Sequence, residues 1–218
     1  MSELLLNGTK LAEKTGSTVT LSNSVVLDSN VNINSSLANA TFPAGMVLEQ
    51  FCSPCDGSAI TVQSGTYTVQ NVTGGMTGQT GWVDITGSSI TYTPPTGTQT
   101  VIYQFDYHMD YEDSNAQMNT KLFLDSDEIV YARSDYHGWN GSYPGHGRVS
   151  FKWAFNIGGS ASTNTGRVES WTSAKTIKLQ MRNYNSSYQM QLHQMQYYEG
   201  TDSTAFVMPV IGITAIAG

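Results

Sequence analysis

Hydrophobic and polar side chains alternate along most of the chain after residue 42. In RVSFKWAFNIG, Val149, Phe151, Trp153, Phe155 and Ile157 share one parity, while Arg148, Ser150, Lys152 and Asn156 share the other. Successive side chains of a strand point to opposite faces, so this run predicts a strand with one dry and one wet side. TIKLQMRN repeats the pattern, setting Ile177, Leu179 and Met181 against Lys178, Gln180 and Arg182. SSYQMQLHQMQYY alternates through Tyr188, Met190 and Leu192, then slips phase to Met195 and Tyr197, as a bulge would make it do. The last run, AFVMPVIGITAI, is apolar at both parities, so its strand needs a cover on each side.

Turn residues punctuate these runs. In SITYTPPTGTQTVIYQFDYHM, Pro94, Pro95 and Gly97 supply a reversal between two strands. NTKLFLDSDEIVYARS reads as a hairpin, with Leu122 and Leu124 on one face and Asp125, Ser126 and Asp127 at the turn. No window sustains a helical period together with helix-start signals, so helix content should be small. About eight to ten strands joined by polar turns predict an all-β fold, an antiparallel two-sheet jelly-roll sandwich over residues 43–218. Residues 1–42 are rich in Ser, Asn and Thr and lack aromatic residues before Phe42. They bury too little to fold alone and are expected to form an extended N-terminal arm, or strands completed by a neighbouring chain.

With 218 residues the chain suits one sizeable β domain and a smaller appendage. Charged residues are only 12% of it, about half the usual share, so neutral polar side chains carry solubility. A net charge of −7 with ten Lys and Arg residues opposes a nucleic-acid role and an anionic membrane surface. MSELLLNGTK has no basic leader, and no apolar run approaches the length that spans a bilayer. Export by a signal peptide and membrane insertion are therefore not expected.

TVIYQFDYHMDY places Asp106, His108 and Asp110 on one parity. Two carboxylates and an imidazole could serve a cation or acid/base chemistry, but residues two apart in a strand lie about 7 Å apart, too far for one ion to gather all three unaided. The solvent-facing side of an amphipathic strand accounts for the row, and no metal or cofactor is expected. Cys52 and Cys55 in FCSPCDG could be a redox pair, half a zinc site or a local disulfide. The turn after them and the lack of a second ligand pair favour structural roles. QNVTGGMTGQTGWVDITG is glycine-rich but lacks the Lys-Ser/Thr of a phosphate loop, and the G-x-S-x-G and H-E-x-x-H signatures are absent. No enzyme is expected. The loop SDYHGWNGSYPGHG is the candidate binding site for a host glycan or protein: Tyr136, His137, Trp139 and Tyr143 offer rigid contact area, and Asp135 and Asn140 offer hydrogen bonds.

The runs TYTPPTGTQTVIYQFDYHM, KLFLDSDEIVYARS, RVSFKWAFNI, TIKLQMRN and MPVIGITAI together resemble the trimeric jelly rolls related to tumour necrosis factor and the complement globular heads. They are most similar to the versions in phage fibres and virion decorations, and LNGTKLAEKTGSTVTLSNSVVL with FPAGMV resembles the lead-in of phage fibre proteins. The resemblance implies a homotrimer with the C-terminal strand near the three-fold axis, and Phe206, Met208, Val210, Ile211 and Ile213 as its interface. It implies a virion surface protein, made in the host cytoplasm, that serves as a tail fibre or spike in host attachment and meets other virion proteins through its arm. A capsid decoration is the nearest alternative. A carbohydrate-active enzyme, recognisable by glycan turnover, and a free-standing lectin stand further off.

Overall fold

The computed structural model describes residues 2–6, 9–15, 18–21, 43–111, 116–137, 145–196, 200 and 204–218. Two compact units result, residues 1–37 and 38–218. In the first, β1 (Ser2–Leu6), β2 (Thr9–Thr15) and β3 (Thr18–Leu21) form a three-stranded antiparallel sheet of their own.

The second unit contains β4 (Val47–Pro54), β5 (Ala59–Val62), β6 (Gly65–Thr68), β7 (Met76–Thr77), β8 (Val83–Asp84) and β9 (Ile90–Tyr92). Then come the long strands β10 (Thr98–Tyr111), β11 (Gln117–Leu124), β12 (Asp127–His137), β13 (Gly145–Asn156) and β14 (Lys175–Asn183). The chain finishes with β15 (Met190–Leu192), β16 (Gln194–Gln196), β17 (Thr204–Phe206) and β18 (Val210–Ala217). There is no helix among the described residues.

Two antiparallel sheets dominate. One carries β4, β18, β10 and β13 side by side, with β15 and β7 continuing from the far end of β10. The other runs β12, β11, β14, with β8 and β9 along the free edge of β14. The pairings nest: β11 with β12, β10 with β13, β9 with β14, and β4 with β18. The chain is thus a long double strand whose successive pairs fall alternately in one sheet and the other.

Alternation explains the core. Val101, Tyr103, Phe105 and Tyr107 of β10 and Phe151 and Phe155 of β13 meet Leu122, Ile177, Leu179 and Met181 of the opposite sheet, and all are buried. Two tyrosines of this core keep their hydroxyls bonded: Tyr103 donates to Ser88 O at 2.7 Å and Tyr92 donates to Glu49 Oε1 at 2.8 Å. Glu49 also accepts from Ser64 N at 2.8 Å and Ser64 Oγ at 2.6 Å, tying the loop between β5 and β6 to β4 and β9. A buried carboxylate with three donors is a stable arrangement; without them it would be costly.

The reversals follow the residue types. Gly97 takes φ 91° in the turn before β10. Asp125 takes φ 55° between β11 and β12, where its carboxylate accepts Thr176 N at 2.8 Å and Lys175 Nζ at 3.0 Å, latching the hairpin to β14. The phase slip near Leu192 is sharper than a bulge. His193 adopts φ 62°, and the chain leaves the main sheet to pair β16 with β17 in a separate two-stranded ribbon.

That ribbon corrects the reading of Asp106, His108 and Asp110 as one solvent-facing row. Asp106 is half-buried, but His108 is 9% exposed and Asp110 is fully buried. The cause is the returning chain: His193 N donates to His108 O at 2.9 Å, and His108 Nδ1 lies 2.7 Å from Gln194 O. Among the described residues no group of three His, Cys, Asp or Glu side chains is placed to hold a metal ion.

Cys52 and Cys55 are both free thiols. Cys52 points outward from β4. Cys55 is buried, its Sγ donating to Gly87 O at 3.3 Å, and burial pushes its pKa up to about 12. A thiol held protonated in this way packs as a small apolar group.

Candidate functional site

The outer face of the β12–β11–β14 sheet carries a well-formed recess. Cross-strand register sets Asp135, Asn119 and Arg182 in one row, and Lys121 beside Gln180 in the next, with Asp84 of β8 beyond it. Outward positions of three strands converge here because each strand buries the alternate residues: Met118 and Leu122, Leu179 and Met181.

Between Thr120 and Leu122 the ladder with β12 is interrupted. Thr120 faces Ser134, while Leu122 faces Ile129, so Val130 to Arg133 arch out opposite Lys121 alone. Bulges of this kind re-aim side chains. Tyr131 N donates to Asn164 O at 3.0 Å, which secures the arch from behind. Its displacement opens a recess of about 510 Å³ lined by Trp82, Asn119, Thr120, Lys121, Arg133, Ser134, Asp135 and Arg182.

Three of the chain's ten basic residues gather around this recess. Lys121 Nζ sits 4.4 Å from the centre of the Trp82 ring, and the Arg182 guanidinium carbon 5.8 Å from it. The negative face of the indole holds both cations in place. Glu128 accepts from Lys121 Nζ at 2.8 Å and from Arg133 Nε at 2.5 Å. Burial alone would raise the Glu128 pKa, but hydrogen bonds and charge from Arg133 and Lys121 prevail and hold it below the usual value. Arg182 has no such partner: its Nε is buried and makes no hydrogen bond among the described residues, and neither does the buried Thr120 Oγ1. With Asp135 as the second carboxylate, three cations face two anions, leaving one positive charge in excess on an acidic protein.

A second recess of about 260 Å³ lies behind the same arch, between β12 and β13, sharing Arg133 and Ser134 with the first. Tyr131, Tyr136, Phe151 and Trp153 give it an aromatic lining. Tyr131 is 67% exposed, and Trp153 Nε1 donates to Thr165 O at 3.1 Å, which fixes the indole.

The residues singled out in SDYHGWNGSYPGHG divide among several places, and Asp135, Tyr136 and His137 end strand β12, paired with β11, instead of lying in a loop. Asp135 lines the Trp82 recess. Tyr136 turns inward against the core, and His137 stays exposed with Nε2 3.5 Å from Asp135 Oδ2. Trp139, Asn140 and Tyr143 lie outside the described residues. Trp82, Asn119, Lys121, Arg133 and Arg182 were not singled out from the sequence. The alternation of β11 and β14 marked Lys121 and Arg182 as outward, but only the pairing of those strands brings them to one indole.

Of the C-terminal residues, Ile211 and Ile213 are buried within the chain's own core, at 0% and 1% exposure. Phe206 is exposed, and Met208 and Val210 are half-buried. The outer face of that sheet brings Ile102, Ala154 and Thr214 together, with Val210, Ile216 and Val47 in neighbouring rows.

No family model matches the chain, and no curated protein matches it. Among solved structures, the chain is similar to viral ones. A chain in the structure of infectious bursal disease virus Gt strain aligns with 10% identity and a TM-score of 0.36 over 89% of this chain and 42% of that one. A chain in the structure of the Gx strain aligns with 9% identity and a TM-score of 0.34 over 78% of this chain and 36% of that one. This chain therefore spans about two fifths of the longer proteins it resembles. TM-scores of this size are too low to carry a function across.

Proposed function

We propose that the chain is a virion structural protein of a phage, a homotrimeric jelly roll on the particle surface that attaches it to the host through the recesses beside the β12 arch. The observation that carries the reading is the nested pairing of β11 with β12, β10 with β13, β9 with β14 and β4 with β18. A hairpin rolled so that its pairs alternate between two sheets is the wrapping a jelly roll requires. It is also the fold implied by the sequence's resemblance to fibre and decoration proteins.

The trimer would use the outer face of the β4–β18–β10–β13 sheet. Val47, Ile102, Ala154, Val210 and Ile216 lie there among neutral Gln50, Gln104 and Thr214, with Asp106, Lys152 and Arg148 toward one end. A face poor in charge suits burial between subunits. Val47 is 48% exposed and Phe206 42%, so a second cover would remove sizeable apolar area from water. The opposite sheet, with the Trp82 recess, would then face outward in three copies, and avidity would raise the strength of weak individual contacts.

Labelling intact particles with antibody against this chain, followed by electron microscopy, tests the location. Label at the tail or its fibres is the expected result. Label spread evenly over the head would replace attachment by capsid decoration, and particles without label would remove the virion assignment.

A further inference from the structure

We infer that the Trp82 recess binds a saccharide bearing a carboxylate or sulfate group, with Arg182 as the primary anion contact. The inference rests on the attachment reading for the source of the ligand, a host surface glycan, but the chemistry stands on the recess itself. Arg182 lines the recess with its guanidinium carbon 5.8 Å from the Trp82 ring centre, and no carboxylate pairs with it among the described residues, so the positive charge in excess there is its own. Lys121 is held at the same indole, and Arg133 stands across the recess on the arch. An anionic group entering there meets guanidinium groups whose planar forks match carboxylate and sulfate oxygens.

A bare anion would not use the rest of the wall. Asn119, Ser134 and Asp135 offer both donors and acceptors, the mixture that hydroxyl groups of a sugar need. Asp135 also disfavours highly charged polyanions, in keeping with the chain's overall acidity. The adjoining recess, reached past Arg133, displays Tyr131 and Trp153, whose rings offer apolar faces to the next sugar ring. The two recesses therefore describe an extended site for at least two sugar units, acidic at one end and neutral at the other.

The test is calorimetric titration of the full chain with sialyllactose, sulfated lactose, lactose, sodium sulfate and an acidic peptide. Binding of either acidic sugar, with lactose much weaker, is expected, and the stronger of the two identifies the anion. Arg182→Gln should weaken it about tenfold or more, the worth of a charge-assisted hydrogen bond. Arg133→Gln, at a more exposed position, should weaken it less, and raised salt should reduce it. Arg167→Gln, exposed and outside both recesses, should leave it unchanged. Each variant's circular dichroism and melting temperature establish that it folds. Equal binding of lactose, tighter binding of sulfate or the acidic peptide than of the acidic sugars, or no binding would each overturn the inference. None of these outcomes alters the particle-labelling result, so failure of the ligand and failure of the attachment reading are distinguishable.

Discussion

His193 is fully buried between Phe105 and Tyr107, whose rings meet it edge-on at 6.3 and 6.4 Å, and its Nε2 lies 3.0 Å from Thr86 O. Burial lowers its pKa to about 4 from an ordinary 6.5. Above pH 6.5 both folded and unfolded chains hold it neutral, and stability is at its full value. As pH falls, the unfolded chain takes up the proton first, so stability should drop between pH 6.5 and 4 by about 3 kcal/mol and then level. His193→Asn tolerates the left-handed backbone and carries no charge. Its urea midpoint should therefore lack that step between pH 6.5 and 4, and a parallel decline in both proteins would assign the effect elsewhere. Glu49 offers a second residue-level test. Glu49→Ala strands the hydroxyl of Tyr92 and the amide N–H of Ser64 and should cost about 3 kcal/mol in denaturant unfolding. A loss near zero would mean that water replaces the carboxylate. Neither role was legible in the sequence, because burial of a polar side chain depends on which distant segment meets it: Thr86 for His193 and Tyr92 for Glu49.

Individual strands were legible wherever one face is dry. Val149 to Ile157, Ile177 to Met181 and Leu122 with Leu124 lie on the faces their alternation assigns, and the turns at Pro95–Gly97 and Asp125–Asp127 fall where their residue types put them. What alternation cannot supply is the partner of each strand. The Trp82 recess depends on β11 lying between β12 and β14, and on four residues of β12 arching opposite one of β11. The arch is also the element on which the proposed binding site depends. Shortening it by three residues, so that β12 pairs with β11 without interruption, should close both recesses. A crystal structure of that variant is expected to keep the two sheets and lose the cavity, and an unchanged recess would show that the arch is not what forms it. By contrast, Leu179→Ala, in the middle of β14, removes core packing and should cost about 2–5 kcal/mol with no change in ligand preference.

At the scale of the whole molecule, the C-terminal strand is where the fold bears on the proposed trimer. Its Ile211 and Ile213 complete the core of their own subunit, which accounts for one of the two apolar parities of VMPVIGITAI. The other parity, Val210 and Ile216, lies on a sheet face with Val47 and Ile102, and this is the surface assigned to sister chains. Val210→Lys together with Ile102→Lys would set two charges into that interface, where unpaired charge is strongly unfavourable, while leaving the buried parity intact. Dissociation into folded monomers is the expected outcome. Sedimentation equilibrium of the unmodified chain at micromolar concentration tests the central claim most directly. A single species of three times the chain mass is the result this account requires, and a well-folded single subunit would contradict it.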